Sequence, residues 1–139
     1  MKNNNFNKKI LLNIQGKIIH GCKIGTKIGF PTANIKICKK IPISNGVYIV
    51  TVKKILNKKN YAIANIGIKP TFLKKKKILE LHIFNINCNL YNKKIKLIIH
   101  KKIRNEIKFY SIYELKKQIN QDIIKVSNYF NIKYLNKKF

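Results

Sequence analysis

The chain has 139 residues, 45% of them hydrophobic, which is enough for one domain with its own core and excludes a disordered polycation. Its formal net charge of +27, from 31 Lys and Arg against four acids, would by itself favour nucleic acid or an anionic membrane as a partner. However, Lys, Asn and Ile all have AT-rich codons and the lysines are spread from end to end. Compositional drift therefore explains the charge better, and we expect no nucleic-acid partner.

The N-terminal residues 1–13 are predicted to form an extension ahead of the domain. Their apolar run, Ile10-Leu11-Leu12, is too short for a signal peptide or a membrane span. The three cysteines of the chain form no Cys-x-x-Cys pair, which is typical of reduced thiols in a cytosolic protein. We therefore expect a cytoplasmic monomer without membrane contact.

The first predicted strand, at 14–20, leads into a glycine-rich segment. It contains three glycines spaced four apart, Gly21, Gly25 and Gly29, and a Phe-Pro-Thr-Ala-Asn sequence follows them. Without a Cβ, such backbone can approach a phosphate closely. In an extended segment Thr32 and Asn34 point to the same side, and their oxygens suit a Mg²⁺ that travels with a nucleotide. The alternative is a glycine-rich turn between two strands, with Thr32 and Asn34 on its edge.

Further short β-branched runs predict an antiparallel sheet of five or six strands, because turn residues separate them and no helical period interrupts them. These strands lie at 47–54, 61–66, 78–85 and 95–102, with a short additional one at 35–37. A small closed barrel would leave this sheet without exposed edges.

The C-terminal part changes to a helical period. Ser111-Ile112-Tyr113-Glu114 has the pattern of a capping box. The apolar positions that follow are spaced by four, four, three and four residues, and predict a helix of about five turns that packs across the barrel: Leu115, Ile119, Ile123, Val126 and Phe130. Glu114 thereby has a structural role, whereas Asp122 is assigned to the surface or to an ion pair. Residues 131–139 form a short tail.

Only four acids are present, so candidates for a general base are few. Glu80 lies in an alternating strand, with His82 on the same face. A strand carboxylate can orient an attacking hydroxyl and accept its proton, although a solvent-facing Glu paired with a lysine is the alternative. Arg104 and Glu106 precede the helix and either brace each other or clamp the mouth of a pocket, where Phe109 offers an aromatic face.

Several motifs follow one another between residues 14 and 130 with natural spacing: Gly29-Phe30-Pro31-Thr32-Ala33-Asn34, Gly46-Val47-Tyr48, Ala64-Asn65-Ile66-Gly67, Pro70-Thr71-Phe72, Leu79-Glu80-Leu81-His82 and Ile103-Arg104-Asn105-Glu106. Through them the chain resembles the riboflavin kinases, in particular the C-terminal kinase module of bacterial bifunctional riboflavin kinase/FAD synthetases. The resemblance implies a mainly β fold, a six-stranded antiparallel Greek-key barrel with a C-terminal helix, and a riboflavin kinase domain at 14–130. The implied activity is ATP:riboflavin 5′-phosphotransfer, which yields FMN and ADP.

The resemblance also implies a set of site residues. Thr32 and Asn34 would bind Mg²⁺ and nucleotide phosphate, and Glu80 would act as the base on the ribityl hydroxyl. Arg104, Glu106 and Phe109 would border the flavin. The implied nucleotide-binding residues are Gly21, Gly25, Lys27, Gly29, Pro31, Thr32 and Asn34.

Two departures from the family pattern bear on function. Thr26 and then Lys27 follow the second loop glycine, where relatives usually have Arg, so we expect weaker nucleotide binding. There is also no His-x-Gly-His nucleotidyltransferase signature, so FMN but not FAD is the expected product. Two alternatives stay open at this point: a basic β-barrel that binds RNA, and a decayed module that binds flavin without turnover.

Overall fold

Six stretches of alternating apolar residues form the strands of the fold. A computed structural model describes residues 9–19, 32–36, 40–55, 58–70, 75–84 and 90–133. Its elements are β1 (Lys9–Ile19), β2 (Ala33–Lys36), β3 (Gly46–Ile55), β4 (Lys58–Pro70), β5 (Lys75–Ile83), β6 (Lys94–Arg104) and the helix α1 (Ile112–Phe130).

The strands form a closed barrel in the order β1-β2-β5-β4-β3-β6. All neighbouring strands are antiparallel. β3, β4 and β5 form a meander, and β2 returns to pair with β5, which is Greek-key topology. The predicted six-stranded antiparallel barrel with a C-terminal helix is confirmed.

Apolar side chains are buried on both sides of the barrel wall. One cluster fills the interior and takes alternate residues from every strand, among them Ile18, Val50, Ala64, Leu79 and Leu97. A second cluster lies between the outer face of the barrel and α1: Val47, Ile49, Ile63, Phe84, Ile123 and Val126. β3 is therefore buried on both faces, and α1 is held against the barrel by apolar packing.

Half of the predicted capping box is present at the start of α1, because the Glu114 carboxylate reaches the amide of Tyr110 and not that of Ser111. The Glu114 amide donates to Ser111 Oγ at 3.1 Å, and the Glu114 carboxylate accepts from the Tyr110 amide at 3.3 Å. The helix ends with Asn131 in the left-handed conformation, at φ 52°, which closes its last turn. Within the described part of the chain, no helix has the length and apolar character needed to cross a membrane.

All six strands begin earlier than predicted, by one residue at β3 and β6, by three at β4 and β5, and by more at β1. β1 starts at Lys9 instead of residue 14, since residues 9–13 continue the pairing with β6 across an irregularity at Leu11, which has φ 53°. The half-buried Ile10 and Leu12 pack against the interior cluster and explain this extension. β2 starts at Ala33, two residues before the predicted strand, and this places Asn34 inside the sheet.

His100 joins the end of α1 to the outer face of the barrel. Its Nε2 lies 2.8 Å from Thr51 Oγ1. Its ring makes edge contacts with Tyr129 and Phe130, at centroid distances of 5.9 and 5.1 Å. Burial lowers the pKa of His100 from its usual value of 6.5, and the charges of Lys59 and Lys9 lower it further.

This lowered pKa predicts a loss of stability in mild acid. The unfolded chain binds a proton at His100 near the ordinary pKa, whereas the folded protein resists it, so the stabilising contribution is full above the ordinary value and is lost as the pH falls below it. Urea unfolding at about pH 7.5 and about pH 5.5 measures this effect. The His100→Gln variant should lose less stability between the two pH values than the parent protein. An equal loss in both proteins would contradict the assignment.

Candidate active site

Three polar side chains from three adjacent strands form a row on the outer face of the barrel. Asn34 of β2 is the partner of Glu80 in β5, and Glu80 is in turn the partner of Asn65 in β4. Their sequence neighbours Ile35, Leu79 and Ala64 belong to the interior cluster. Because side chains alternate along a strand, the three residues of this row, here called the amide–carboxylate row, point outward together.

The same row of positions continues beneath the helix. Asn65 is the partner of Val47 in β3, and Val47 is the partner of Arg104 at the end of β6. Val47 is buried against α1, whereas Asn65 is exposed. The helix thus covers one end of this row and leaves Asn65 exposed, whereas Glu80 and Asn34 are half-buried and the amide oxygen of Asn34 is buried.

Arg104 is bound to the helix by a largely buried ion pair. Its Nε donates to both carboxylate oxygens of Asp122, at 2.9 and 3.1 Å, and a terminal nitrogen donates to Oδ2 at 2.8 Å. Gln118 also donates to this carboxylate, at 3.1 Å. The side chain of Asp122 is 1% exposed and that of Arg104 is 14% exposed. Asp122 is therefore an ion-pair residue and not a surface residue.

The predicted alternative in which Arg104 and Glu106 brace each other is wrong, because Asp122 is the acid that binds the guanidinium. The carboxylate of Glu106 lies instead against Gly67 of β4, where an added Cβ would overlap its Oε1. Since Gly67 is two residues beyond Asn65 on the same face, Glu106 lies beside the amide–carboxylate row. A Cβ at this position would displace the end of the Glu106 side chain.

Phe109 lies on the loop between β6 and α1, close to Arg104. The guanidinium carbon of Arg104 is 5.9 Å from the centre of the Phe109 ring, within the range of a cation–π contact. Arg104 also donates to the carbonyl of Asn105, at 3.1 Å. The single arginine of the chain thus organises the segment 104–109 through its own side chain.

The predicted site residues fall into two groups. Asn34 and Glu80 are brought together, and the half-buried Thr32 directly precedes β2. Arg104 ends β6, and Glu106 and Phe109 lie on the loop that follows it. The remaining nucleotide-binding candidates lie outside the described residues: Gly21, Gly25, Lys27, Gly29 and Pro31.

Sequence reasoning did not single out Asn65 and Gly67 as site residues. Both lay within a motif of the family, but their relation to Glu80 and Glu106 follows only from the pairing of β4 with β5 and from the path of the loop after β6. His82 does share the outward face with Glu80, as predicted, and its ring lies 5.5 Å from that of Phe84.

The oxygen atoms at this site suit a hard cation that brings its own ligands. Among the described residues, no group of three or more His, Cys, Asp or Glu side chains could hold a metal. The amide of Asn34 is instead an oxygen donor within β2, and the hydroxyl of Thr32 lies just before that strand. Such a set fits Mg²⁺, which usually keeps several waters and takes one or two protein ligands beside a phosphate.

Comparison with known proteins identifies the class of this barrel. Residues 9–130 match the family model described as "Flavokinase: Riboflavin kinase". A bifunctional riboflavin kinase/FMN adenylyltransferase of Buchnera aphidicola from Schizaphis graminum is 52% identical over 86% of this chain and 39% of its own length. The barrel is therefore a flavokinase domain. The chain belongs to the riboflavin kinase family.

Solved structures agree on the fold. A riboflavin kinase from Trypanosoma brucei superimposes with a TM-score of 0.64 at 24% identity, over 86% of this chain and 79% of that one. A macrolide-efflux protein from Streptococcus pneumoniae gives a TM-score of 0.78 at 31% identity, over 85% of this chain and 39% of that one. The chain spans about two-fifths of the length of the curated bifunctional relatives that it matches.

The Arg104–Asp122 pair predicts unequal effects of removing two nearby carboxylates. Asp122→Ala leaves a largely buried guanidinium without its acid, and should lower the free energy of unfolding by about 3 kcal/mol. Glu106→Ala removes an exposed carboxylate and should change it by less than about 0.5 kcal/mol. Urea unfolding of the two variants beside the parent provides the measurement. A larger loss of stability in Glu106→Ala than in Asp122→Ala would contradict the assignment of Asp122 as the stabilising partner of Arg104.

Proposed function

We propose that this chain is a riboflavin kinase that transfers the γ-phosphoryl group of ATP to the 5′-hydroxyl of riboflavin and releases FMN and ADP. The observation that carries the proposal is the pairing of Glu80 with Asn34. It sets a strand carboxylate beside the amide of the Pro-Thr-Ala-Asn segment, on the outer face of the barrel. Membership of the riboflavin kinase family supports the same reaction.

Glu80 has the position of the general base. A carboxylate beside the phosphate site can hold the attacking hydroxyl in line with the phosphorus and accept its proton as the bond forms. The amide of Asn34, directly opposite, would keep the metal and the phosphate within reach of that hydroxyl. Positioning of this kind supplies most of the catalysis in phosphoryl transfer.

The metal in this proposal is Mg²⁺, held by Asn34 and Thr32. When bound it would neutralise negative charge on the phosphates. The backbone at Gly21, Gly25 and Gly29 would surround the nucleotide, with Lys27 and Pro31 beside it. Lys27 can supply positive charge there, but not the planar fork of an arginine.

The flavin is proposed to bind between the amide–carboxylate row and the loop that carries Glu106 and Phe109. Glu106 offers an acceptor for a polar edge of the ligand, and Phe109 offers an aromatic face. Arg104 borders this site and contributes by holding the loop, since its guanidinium is bound to Asp122. Adenylyl transfer to FMN, which the names of the bifunctional relatives include, is not part of this proposal.

Replacing the proposed base tests the reaction directly. Glu80→Gln keeps the size of the side chain but cannot accept a proton, and should lower kcat by about a hundredfold or more. FMN formation from riboflavin and MgATP, followed by chromatography, is the measurement. Glu114→Gln is the matched control, because glutamine also serves in a capping box and this position lies on the helix. A parent protein that forms no FMN would overturn the proposed function, and a fully active Glu80→Gln would overturn the role of Glu80.

Removal of divalent metal tests the proposed Mg²⁺ site at Asn34 and Thr32. The parent protein in excess EDTA should form no FMN, and added Mg²⁺ should restore the rate. Asn34→Ala should raise the Mg²⁺ concentration needed for half of the maximal rate, because one of two protein ligands is lost. Unchanged FMN formation in EDTA would contradict a metal at this site.

A further inference from the structure

We infer that the barrel carries a surface for single-stranded RNA on the outer face of β1, β2, β3 and β6. The inference does not depend on the proposed kinase activity, and only β2 contributes to both this surface and the amide–carboxylate row. Five exposed lysines and one exposed glutamine form the surface, here called the lysine face: Lys17, Lys36, Lys53, Lys94, Lys96 and Gln15. Its ligand is the phosphate backbone of an RNA strand.

Strand pairing sets the lysines of this face side by side. Lys17 of β1 is the partner of both Lys36 in β2 and Lys94 in β6. In the next row, Lys96 of β6 is the partner of Lys53 in β3. The residues next to them in sequence fill the barrel interior: Ile18, Ile35, Val52, Ile95 and Leu97. Because side chains alternate along a strand and neighbouring strands lie about 4.8 Å apart, the five lysines form one outward patch of positive charge.

The stability of the fold does not explain this arrangement. Like charges directly opposite each other on neighbouring strands destabilise a sheet, and the lysine face contains three such pairs. Lysines often prevent an edge strand from pairing with another chain, but a closed barrel has no edge to protect. None of the four strands contains an Asp or a Glu that could neutralise the lysines. A polyanionic ligand supplies the missing charge.

The placement of the lysines bears on the partner that we expect. We expected no nucleic-acid partner because the lysines are spread along the sequence, whereas the fold gathers five of them on one face. Compositional drift accounts for the number of lysines in the chain. It does not account for three adjacent lysine pairs across four strands.

The polar character of β1 favours an RNA strand over a membrane. The exposed apolar residues Leu11 and Ile19 lie near the two ends of the outer side of this strand. Between them the exposed residues are Asn13, Gln15 and Lys17, so this strand offers no continuous apolar surface to a bilayer. The two amides can instead hydrogen-bond to base edges, which are open in a single strand.

Tyr91 adds an aromatic ring at the border of the lysine face. The turn that carries it is bound to β1, since the amide of Ile18 donates to the carbonyl of Lys93 at 2.9 Å. The turn therefore lies beside Lys17 and Lys94. The side chain of Tyr91 is 49% exposed, so a base can stack on its ring. Lysines beside an exposed aromatic ring are the combination with which proteins bind single strands.

Two variants with the same net charge separate the placement of the lysines from their number. One variant removes three lysines of the lysine face: Lys17→Gln, Lys94→Gln and Lys96→Gln. The other removes three exposed lysines of the C-terminal segment: Lys117→Gln, Lys125→Gln and Lys133→Gln. The probe is a fluorescein-labelled single-stranded RNA of about 12 nucleotides, and its affinity is measured by fluorescence anisotropy over a range of KCl concentrations.

The lysine-face variant should bind this RNA about tenfold more weakly than the parent, and its slope of log affinity against log salt should be smaller by about 2. The C-terminal variant should keep the slope of the parent. Equal losses of affinity in the two variants would show that total charge binds the RNA, and would overturn the inference. So would a parent protein that does not bind the RNA at about 0.15 M salt. Urea unfolding should show no loss of stability in the lysine-face variant, because like-charge pairs are removed.

A stacking variant and anionic vesicles test the nature of the partner. Tyr91→Ala should weaken RNA binding about fivefold or more, whereas Tyr91→Phe, which keeps the ring, should not. An unchanged affinity in Tyr91→Ala would contradict the assignment to a single strand. The two lysine variants should sediment equally with vesicles of phosphatidylglycerol. A loss of vesicle binding confined to the lysine-face variant, without a matching loss of RNA affinity, would assign this face to a membrane and overturn the inference.

Discussion

Closure of the barrel is the constraint from which the rest of the structure follows. Each strand has two neighbours, and one set of alternate side chains must fill the interior, so the register of every strand is restricted by both partners. A slip of one residue in β5 would expose Leu79 and Leu81 and bury Glu80 among apolar side chains. The cost of burying a charge in this way strongly disfavours such a slip. The position of Glu80 between Asn34 and Asn65 is therefore maintained by the packing on the other side of the sheet.

The helix completes the site from outside. Its apolar face covers Val47 and Ile49, and the ion pair of Arg104 with Asp122 joins the end of β6 to the helix. That ion pair links the barrel wall, the loop at 105–109 and the middle of α1 in one unit. Glu106 reaches Gly67 because the loop leaves β6 from this point. Helix packing and the placement of the site loop thus meet at the same ion pair.

Local patterns predicted most of the fold, because they depend on neighbours in sequence. Alternation located all six strands, and the Ser111–Glu114 capping box located the start of the helix. What could not be predicted were contacts between distant segments: the choice of Asp122 as partner of Arg104, 18 residues away, and the packing of Glu106 on Gly67. Glu80 was found from its residue type in a chain with few acids, whereas Asn65, one of many asparagines, needed the strand register. The roles of Gly21, Gly25 and Gly29 stay predictions.

The distribution of acids separates folding from function in this chain. With 31 cations and four acids, a carboxylate contributes little to overall charge balance, so its place in the structure is informative. Glu114 caps α1 and Asp122 binds Arg104, so both are engaged in holding the helix. The other two, Glu80 and Glu106, lie on the outer face of β5 and β4, on either side of Asn65 and Gly67. Two like charges on one face repel each other, so no attraction between them explains their placement. Their proximity is instead what a site needs if it must hold a hydroxyl at one carboxylate and a polar ligand edge at the other.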